Sequence, residues 1–229
     1  MMRGFLVTAT DTGVGKTVVT GGIAAALARR GIDVGVMKPF ATGARRVGRR
    51  LVSDDALFLQ RAAGSEDPLD LLNPVCLKPP LAPSMAAEVE KKPIDLQAVW
   101  SAWRTLRGLH STMIVEGVGG LLVPLLPRFT VARFAKRLKL PLLIVTRPTL
   151  GTINHTALTV HAARSYGLRI AGLVINHAAR VRPGLAERLN PAALAAETRV
   201  PVLGIIPFLG ADPGRALRHP AFDRLASAL

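Results

Sequence analysis

Short apolar runs of strand length alternate with longer stretches of helical length along most of the chain. The apolar runs predict strands over residues 4–9, 34–38, 112–116, 142–146, 170–176 and 202–206. The stretches between them predict helices over residues 16–30, 54–63, 96–109, 154–166 and 191–198. This alternation is typical of βαβ units on a parallel sheet. We therefore predict an α/β fold with one doubly wound, mostly parallel sheet that is flanked by helices.

Glycine and proline mark the joins between these segments, and no repeat, charge block or long Ser/Gly linker divides the chain. A length of 229 residues is ordinary for one α/β domain, so we expect residues 1–229 to form a single domain. In doubly wound sheets, ligands bind beyond the carboxyl ends of the strands. The residues that follow each predicted strand are therefore the first candidates for function.

The composition limits the cellular setting and the chemistry. Hydrophobic residues make up 49% of the chain, but its longest apolar runs, at 4–9 and 141–145, are far too short to cross a bilayer. The chain starts with a strand-like run and lacks the pattern of a secretory leader. Cys76 is the only cysteine, which excludes an intrachain disulfide and a cysteine-based zinc site. We expect a cytoplasmic protein that does not bind a membrane.

The formal charge of +15, from 30 basic and 15 acidic residues, raises the possibility of a nucleic-acid partner. The basic residues are scattered, however, and only Arg45, Arg46, Arg49 and Arg50 form a dense cluster. Aromatic residues are 4% of the chain, which leaves little material for stacking on bases. We therefore expect no specific nucleic-acid partner. The cluster is expected on a loop above the substrate side of the crevice, where it would steer anionic ligands.

The first predicted strand ends in a glycine-rich segment, ATDTGVGKT at residues 9–17, and a helix follows. Gly13 and Gly15 let the backbone wrap closely, so that N–H groups and the positive end of the helix face an anion. Lys16 is then expected to reach the β and γ phosphates of ATP, and the Thr17 hydroxyl to be a Mg²⁺ ligand. Ala9 stands where such loops usually begin with glycine, which a negative φ makes acceptable. The segment predicts a fold of the P-loop NTPase type.

Two charged residues end predicted strands that follow one another in the sequence. Glu116 closes the third strand before a turn at 117–120, where a carboxylate suits an acidic partner of Mg²⁺. Lys38 closes the second strand, where its ammonium group could stabilise charge that develops in a transition state. An ordinary strand-end lysine would produce the same pattern. Both residues are therefore candidates for the chemical step.

Other candidates carry weaker signals. Asp54 and Asp55 open a predicted helix, and from the pattern alone they are most simply explained by capping of that helix. Asn176 closes a strand, and Pro207 follows another. From these positions a side-chain amide and backbone groups could contact the edge of a purine.

Taken together, these segments resemble one enzyme family, the dethiobiotin synthetases. The resemblance extends over nearly the whole chain and is far more specific than a phosphate loop alone. The matching residues, in the family's order and spacing, are Asp11-Thr12, Lys38-Pro39, Thr42-Gly43, Asp55-Ala56-Leu57, 116–120, 150–155 and Asn176.

The resemblance implies a reaction and an assembly. Members of the family use ATP, Mg²⁺ and CO₂, supplied as bicarbonate, to carboxylate 7,8-diaminononanoate. One amine takes up CO₂ to give a carbamate, the carbamate attacks the γ-phosphate, and the second amine closes the ureido ring with loss of phosphate. Because the carbamate is the nucleophile, no Ser, Cys or His nucleophile is needed. The family also implies a homodimer with the substrate site at the interface.

The resemblance further implies a role for each matching residue. Lys38 is the catalytic cation, and His155 is structural rather than catalytic. The substrate contacts are Thr12, Lys16 and Thr42, together with Thr152, Ile153 and Asn154 from the neighbouring subunit. The Mg²⁺ ligands are Thr17, Asp55 and Glu116. The nucleotide contacts are Gly13, Val14, Gly15, Lys16, Thr17, Val18, Asp55, Glu116, Gly117, Val118, Gly119, Asn176, His177 and Pro207.

Two positions depart from the family pattern, and two alternatives stay open. Gly13 stands where members often carry Glu, and His177 where an acidic residue often follows the Asn. The first departure could loosen metal or nucleotide contacts, and the second could alter ribose or base contacts. One alternative is an amidotransferase-like enzyme of corrinoid synthesis, although those are usually joined to a glutaminase domain. The other is a partitioning-type switch ATPase, although that group carries an additional lysine early in the loop, where this chain has Asp11.

Overall fold

A computed structural model describes residues 3–180 and 184–229. Its strands are β1 (Arg3–Ala9), β2 (Val34–Met37), β3 (Phe40–Ala41), β4 (Arg45–Val47), β5 (Arg50–Val52), β6 (Val75–Cys76), β7 (Thr112–Gly120), β8 (Pro124–Leu126), β9 (Phe129–Thr130), β10 (Leu142–Thr146), β11 (Ile170–Asn176) and β12 (Val202–Ile206).

The helices complete the description. They are α1 (Lys16–Arg29), α2 (Asp54–Ala63), α3 (Leu69–Leu72), α4 (Pro83–Val89), α5 (Leu96–Leu109), α6 (Val131–Leu138), α7 (Thr152–Ser165), α8 (Leu185–Thr198), α9 (Pro220–Ser227) and a 3₁₀ helix at Pro213–Arg218. Among the residues described, no helix combines the length and apolar character needed to cross a bilayer.

The main sheet has the strand order β12-β11-β10-β1-β7-β2, and its neighbouring strands are all parallel. From β1 the chain passes through α1 to β2 on one side, and from β7 it passes through α6 to β10 on the other. Because crossovers between parallel strands are right-handed, these two paths put helices on opposite faces of the sheet. The predicted doubly wound sheet is therefore confirmed, and the direction of winding reverses at β1, directly before the glycine-rich loop.

The central strands are mainly apolar because both of their faces are covered. Leu6 and Val7 of β1 and the run from Leu142 to Val145 in β10 are fully buried. The rings of Phe40 in β3 and Trp100 in α5 pack on the ring of Phe134 in α6, with centroid distances of 5.2 and 4.9 Å. This buried frame holds the carboxyl ends of the strands at constant relative positions.

The arginine cluster forms a hairpin, so the prediction of a loop there was wrong. Strands β4 and β5 pair antiparallel, with Arg46 opposite Leu51. The apolar residues within the cluster favour strand pairing, and Gly48 supplies the positive φ of 58° that the tight turn needs. Arg45 Nε lies 2.7 Å from the Asp54 carboxylate, and Arg50 lies 3.2 Å from that of Asp70. These ion pairs neutralise half of the cluster locally.

Two predicted boundaries were also wrong. Strand β7 continues from Glu116 to Gly120, beside β1, with a shift of register after Val7. Glycine makes this possible, since a Cβ at Gly117 or Gly120 would lie 3.3 Å from a carbonyl oxygen of β1. Helix α8 begins at Leu185, and Pro191 lies inside it. The Glu187 carboxylate accepts a hydrogen bond from the Gly184 N–H at 2.8 Å, which starts the helix earlier than proline alone suggests.

A histidine joins three loops at the amino edge of the sheet, away from the glycine-rich loop. His110 Nδ1 lies 2.6 Å from Asp33, which precedes β2, and Nε2 lies 3.0 Å from Asp67, which follows α2. Burial alone would lower the pKa of His110, but the bonds to the two carboxylates outweigh it, so the pKa lies above its ordinary value. The same contact lowers the pKa of Asp33. Gly35 makes room for this ring, because a Cβ there would lie 2.5 Å from it.

We expect His110→Gln to lower the free energy of unfolding by roughly 1–3 kcal/mol at about pH 5.5, since a charged hydrogen bond is lost. The loss should shrink toward about pH 9. A raised histidine pKa contributes fully below the unfolded value of about 6.5, and its contribution disappears as pH rises through the folded value. Urea unfolding at both pH values measures the difference. His161→Gln, at an exposed histidine of α7, is the control. An equal loss at both pH values would contradict an ionic role.

Candidate functional site

The glycine-rich loop connects β1 to α1 at the centre of the sheet. Gly13 and Gly15 have positive φ values of 76° and 91°, and Gly15 lies at the cap position of α1. No side chain of the described residues caps this helix end, so its N–H groups face outward for an anion. Lys16 is buried at the first helical position. The loop therefore has the form predicted for binding phosphates.

Four side chains from separate elements meet beside this loop. The ammonium group of Lys38, directly after β2, contacts Glu116 of β7 and lies 2.7 Å from Asp55 Oδ2 at the start of α2. The Thr17 hydroxyl of α1 donates to Glu116 Oε1 at 2.8 Å. Glu116 is fully buried, and Lys38 is only 4% exposed. The structure thus brings together the predicted catalytic cation and the three predicted metal ligands.

The charges in this cluster depend on one another. Burial would lower the pKa of Lys38, but the carboxylates of Glu116 and Asp55 outweigh it and raise the pKa. Burial would raise the pKa of Asp55, but Lys38 holds it below the ordinary value. For Lys16, burial and the nearby charge of Lys38 lower the pKa, against the opposing effect of Glu116. Lys38 and Asp55 are therefore charged at neutral pH.

The oxygen atoms of the cluster suit a magnesium ion. Mg²⁺ is usually held by one or two carboxylates together with phosphate oxygens and water. Asp55 and Glu116 supply two carboxylates, and Thr17 supplies a hydroxyl. Glu116 Oε2 is buried without a hydrogen-bond partner among the described residues, so it has lone pairs available for a cation. No group of three or more His, Cys, Asp or Glu side chains in those residues could hold a metal by itself.

The backbone around the cluster is held by residues that the sequence did not single out. Asn73 Nδ2 donates to the carbonyl oxygen of Lys38 at 2.7 Å. Ser53 accepts the N–H of Ala56 at 3.3 Å and so caps α2. Because Ser53 provides the cap, Asp55 is free to contact Lys38, so capping, which the pattern alone had suggested, does not explain Asp55. No local pattern marks Asn73, which lies 35 residues from Lys38 in the chain.

A cavity of about 480 Å³ adjoins the loop, and its lining includes Gly13, Gly15, Val18, Asn176, His177 and Pro207. Asn176 is buried at the end of β11, and its amide nitrogen donates to the Val14 carbonyl oxygen at 2.8 Å. The strand end is thereby joined to the loop. This cavity brings together residues predicted to contact the nucleotide, including Asn176 and Pro207, which were predicted to contact its base.

Another cavity, of about 610 Å³, also adjoins the loop. Its lining includes Thr12 of the loop, Leu121 to Pro124 after β7, and His155 and Leu158 of α7. Thr42 is half-buried directly after β3 and does not line this cavity. A cavity with both polar and apolar walls suits a ligand that carries polar groups on an alkyl chain.

The start of α7 holds the three residues predicted to receive a substrate carboxylate. Ile153 and Asn154 are exposed there. Thr152 is buried, its hydroxyl lies 2.8 Å from that of Thr146, and its N–H donates to Thr149. Thr152 therefore supports the helix start from inside, while its two neighbours face outward.

Residues 3–211 match the AAA domain family. The fold is also that of a cell-division ATPase MinD from Pyrococcus furiosus, with a TM-score of 0.58 and 20% identity over 100% of this chain and 98% of that one. Together with the phosphate loop, the sheet order defines a P-loop NTPase.

Relatives with higher identity narrow the class. An ATP-dependent dethiobiotin synthetase from Bacillus velezensis is 42% identical, and the match covers 95% of this chain and 92% of the relative. One from Bacillus subtilis strain 168 is 40% identical over 100% and 97% of the two chains. The chain belongs to the ATP-dependent dethiobiotin synthetase family, and the resemblance found in the sequence is confirmed.

We expect Gly15→Ala to weaken ADP binding by at least about tenfold, or about 1.4 kcal/mol. A Cβ at Gly15 would lie 2.1 Å from Asn176 Nδ2, so the loop or the Asn176 bond to Val14 must give way. Gly13→Ala is the matched comparison, because it shares a positive φ but meets nothing within 4 Å. Titration calorimetry of both variants should show the larger loss at Gly15. Equal losses would mean that backbone strain alone is responsible.

Proposed function

We propose that the chain converts 7,8-diaminononanoate, CO₂ and ATP into dethiobiotin, ADP and phosphate. The observation that carries this proposal is the cluster in which Lys38 contacts Asp55 and Glu116 while Thr17 of the phosphate loop bonds to the same Glu116. A cation of this kind beside a phosphate loop suits a reaction in which anionic charge develops between the substrate and the γ-phosphate.

The chemistry divides into three steps. An amine of the substrate attacks CO₂ and loses a proton, which gives a carbamate. A carbamate oxygen then attacks the γ-phosphorus, the bond to ADP breaks, and a mixed carbamic-phosphoric anhydride forms. The second amine attacks the carbamate carbon, phosphate leaves, and the ureido ring closes. The substrate supplies every nucleophile, so the protein's task is to orient groups and to stabilise charge.

The residues of the cluster and the loop divide this task. Lys16 and the N–H groups of the loop would hold the β and γ phosphates. Lys38 would stabilise the negative charge shared by the carbamate and the γ-phosphate. Thr17, Asp55 and Glu116 would hold Mg²⁺, which neutralises phosphate charge when it is bound. Thr12 would contact the diamine in the cavity of about 610 Å³. The contact expected from Thr42, which does not line that cavity, comes from the family resemblance alone.

The remaining nucleotide contacts would come from residues in the loop and at the strand ends around it. Gly13 to Val18 and Gly117 to Gly119 would surround the phosphates and the sugar. Asn176, His177 and the Pro207 segment would contact the base. The cavity of about 480 Å³ is lined by loop residues such as Gly13 and by Asn176 and Pro207, which supports assigning both groups to one nucleotide. Because Gly13 and His177 carry no carboxylate, they leave the surroundings of the nucleotide less acidic than the usual family pattern.

We also infer a homodimer in which each substrate site lies at the interface. Large apolar side chains in the lining of the cavity of about 610 Å³ are exposed, with Leu158 at 60% and Leu122 at 58%, and Leu150, shortly before α7, is 90% exposed. A second copy would cover this surface, and the N–H groups at Ile153 and Asn154 would receive the substrate carboxylate of the neighbouring site. A single 1–229 domain, a cytoplasmic location and the lack of a specific nucleic-acid partner stay predictions from the sequence.

The assay that tests the reaction measures ADP and dethiobiotin together. ADP formation should require both diaminononanoate and bicarbonate, and it should match dethiobiotin in amount. ATP hydrolysis that does not change when the diamine is added would reject the proposed reaction.

The two buried lysines should differ in what they affect. We expect Lys38→Met to lower turnover by about two orders of magnitude while ADP affinity changes little, because Lys38 serves charge that develops during transfer. Lys16→Met should weaken ATP binding itself, because Lys16 serves the nucleotide phosphates. Calorimetry and steady-state rates separate the two effects. Lys136→Met, at an exposed lysine of α6, is the control for loss of charge. Loss of ATP binding in Lys38→Met with turnover retained at saturation would reverse the assignments.

A further inference from the structure

Arg147 lies beside the phosphate loop, although it belongs to a different part of the chain. It follows β10 directly, and β10 pairs with β1 so that Val145 lies opposite Ala9. One guanidinium nitrogen of Arg147 lies 2.5 Å from Asp11 Oδ2. The two residues are separated by 136 positions in the sequence. Their contact depends only on the sheet order.

Asp11 also forms a hydrogen bond to the residue that follows it. Its other carboxylate oxygen accepts the N–H of Thr12 at 2.7 Å. Thr12 lines the cavity of about 610 Å³ that adjoins the loop, and Asp11 lines it too. The guanidinium, the carboxylate and the Thr12 N–H therefore form a continuous chain of bonds that ends at the wall of this cavity.

The base of this chain of bonds is rigid. The Thr10 and Thr146 hydroxyls lie 3.2 Å apart, one residue before Asp11 and Arg147 respectively. Thr146 also bonds to the hydroxyls of Thr152 and Thr156 at 2.8 and 2.9 Å, and these three threonines are fully buried. Both members of the ion pair thus extend from a fixed base at the ends of two central strands.

The pair has a geometric role rather than a role in overall stability. The side chains of Arg147 and Asp11 are 36% and 50% exposed, and ion pairs with that exposure contribute little to folding. Although burial lowers the pKa of Lys16, the Asp11 carboxylate acts to raise it, so a negative charge lies near the lysine that is predicted to bind phosphate. Without a cation beside it, that carboxylate would repel an incoming nucleotide and would be free to turn away from Thr12.

We propose that Arg147 is a positioning residue for the reaction: it holds Asp11, and through Asp11 it fixes Thr12 against the cavity in which the diamine binds. This inference rests on the proposed function for the identity of the ligand. The structural part, from Arg147 to the Thr12 N–H, does not depend on it.

The test combines a double-mutant cycle with a signal from the Thr12 amide. Arg147→Met should raise the KM for diaminononanoate by roughly tenfold, because Thr12 would no longer be held where it contacts the substrate. The kcat should change much less. Asp11→Asn keeps an oxygen that can accept the Thr12 N–H but removes the charge that Arg147 holds. In the Asp11→Asn background, Arg147→Met should therefore have little further effect. In Arg147→Lys, which keeps the positive charge, the KM should rise less than in Arg147→Met.

The Thr12 amide reports the same contact without catalysis. In ¹⁵N-labelled protein, Arg147→Met should shift the Thr12 resonance and accelerate its exchange with water. Arg133→Met, at an exposed arginine of α6, should change neither KM nor the resonance. An unchanged Thr12 resonance, or an equal effect of Arg147→Met in both backgrounds, would overturn the proposal. If the wild-type protein makes no dethiobiotin, the proposed reaction fails while the amide measurement still decides the role of Arg147.

Discussion

The ammonium group of Lys38 lies inside the fold, in contact with carboxylates that come from β7 and from the start of α2. A buried charge without partners destabilises a protein by several kcal/mol, so the buried Lys38 and Glu116 require one another, and Asp55, whose side chain is 46% exposed, adds a second carboxylate. Their placement in turn requires the sheet order, because β2 and β7 must be neighbours for Lys38 and Glu116 to meet. The rest of the site is arranged around this cluster.

The glycines of the site serve the same arrangement. Gly117 and Gly120 let β7 continue against β1, which keeps the Glu116 carboxylate deep in the sheet and close to Thr17. Gly15 leaves room for Asn176, whose bond to Val14 joins β11 to the phosphate loop. On the same side of β1 as β11, Arg147 and the threonine hydroxyls join β10 to the same loop. The loop is thus held from both neighbouring strands and from the end of β11, which suits a site that must present fixed donors to phosphates.

Charge is distributed differently in the site and on the surface. In the site, each buried cation has a carboxylate nearby. Lys38 contacts Glu116 and Asp55, and the charge of Glu116 also acts on Lys16. On the surface, the arginine hairpin shares two of its charges with Asp54 and Asp70, and Asp54 is the neighbour in sequence of Asp55. The hairpin is therefore anchored next to the Lys38 cluster, and its two other arginines are the ones that extend the positive field outward. This agrees better with attraction of small anionic ligands than with a continuous basic face.

The sequence by itself determined the main strands, the helices that follow a clear period, the phosphate loop and the lysine within it. These features depend on residues within one or two turns of each other, so local patterns predict them. Strand-end positions also predicted roles for Lys38 and Glu116, and the family resemblance added the predicted role of Asp55 as a metal ligand. Only the tertiary structure decided that Ser53 rather than Asp55 caps α2, that the arginine cluster pairs as a hairpin, and that Asn73 and Arg147 support the site. Lys38 and Glu116 are 78 residues apart, and Asp11 and Arg147 are 136 apart. Contacts over such distances arise from strand order and crossover, which a local pattern of apolar and polar residues does not encode.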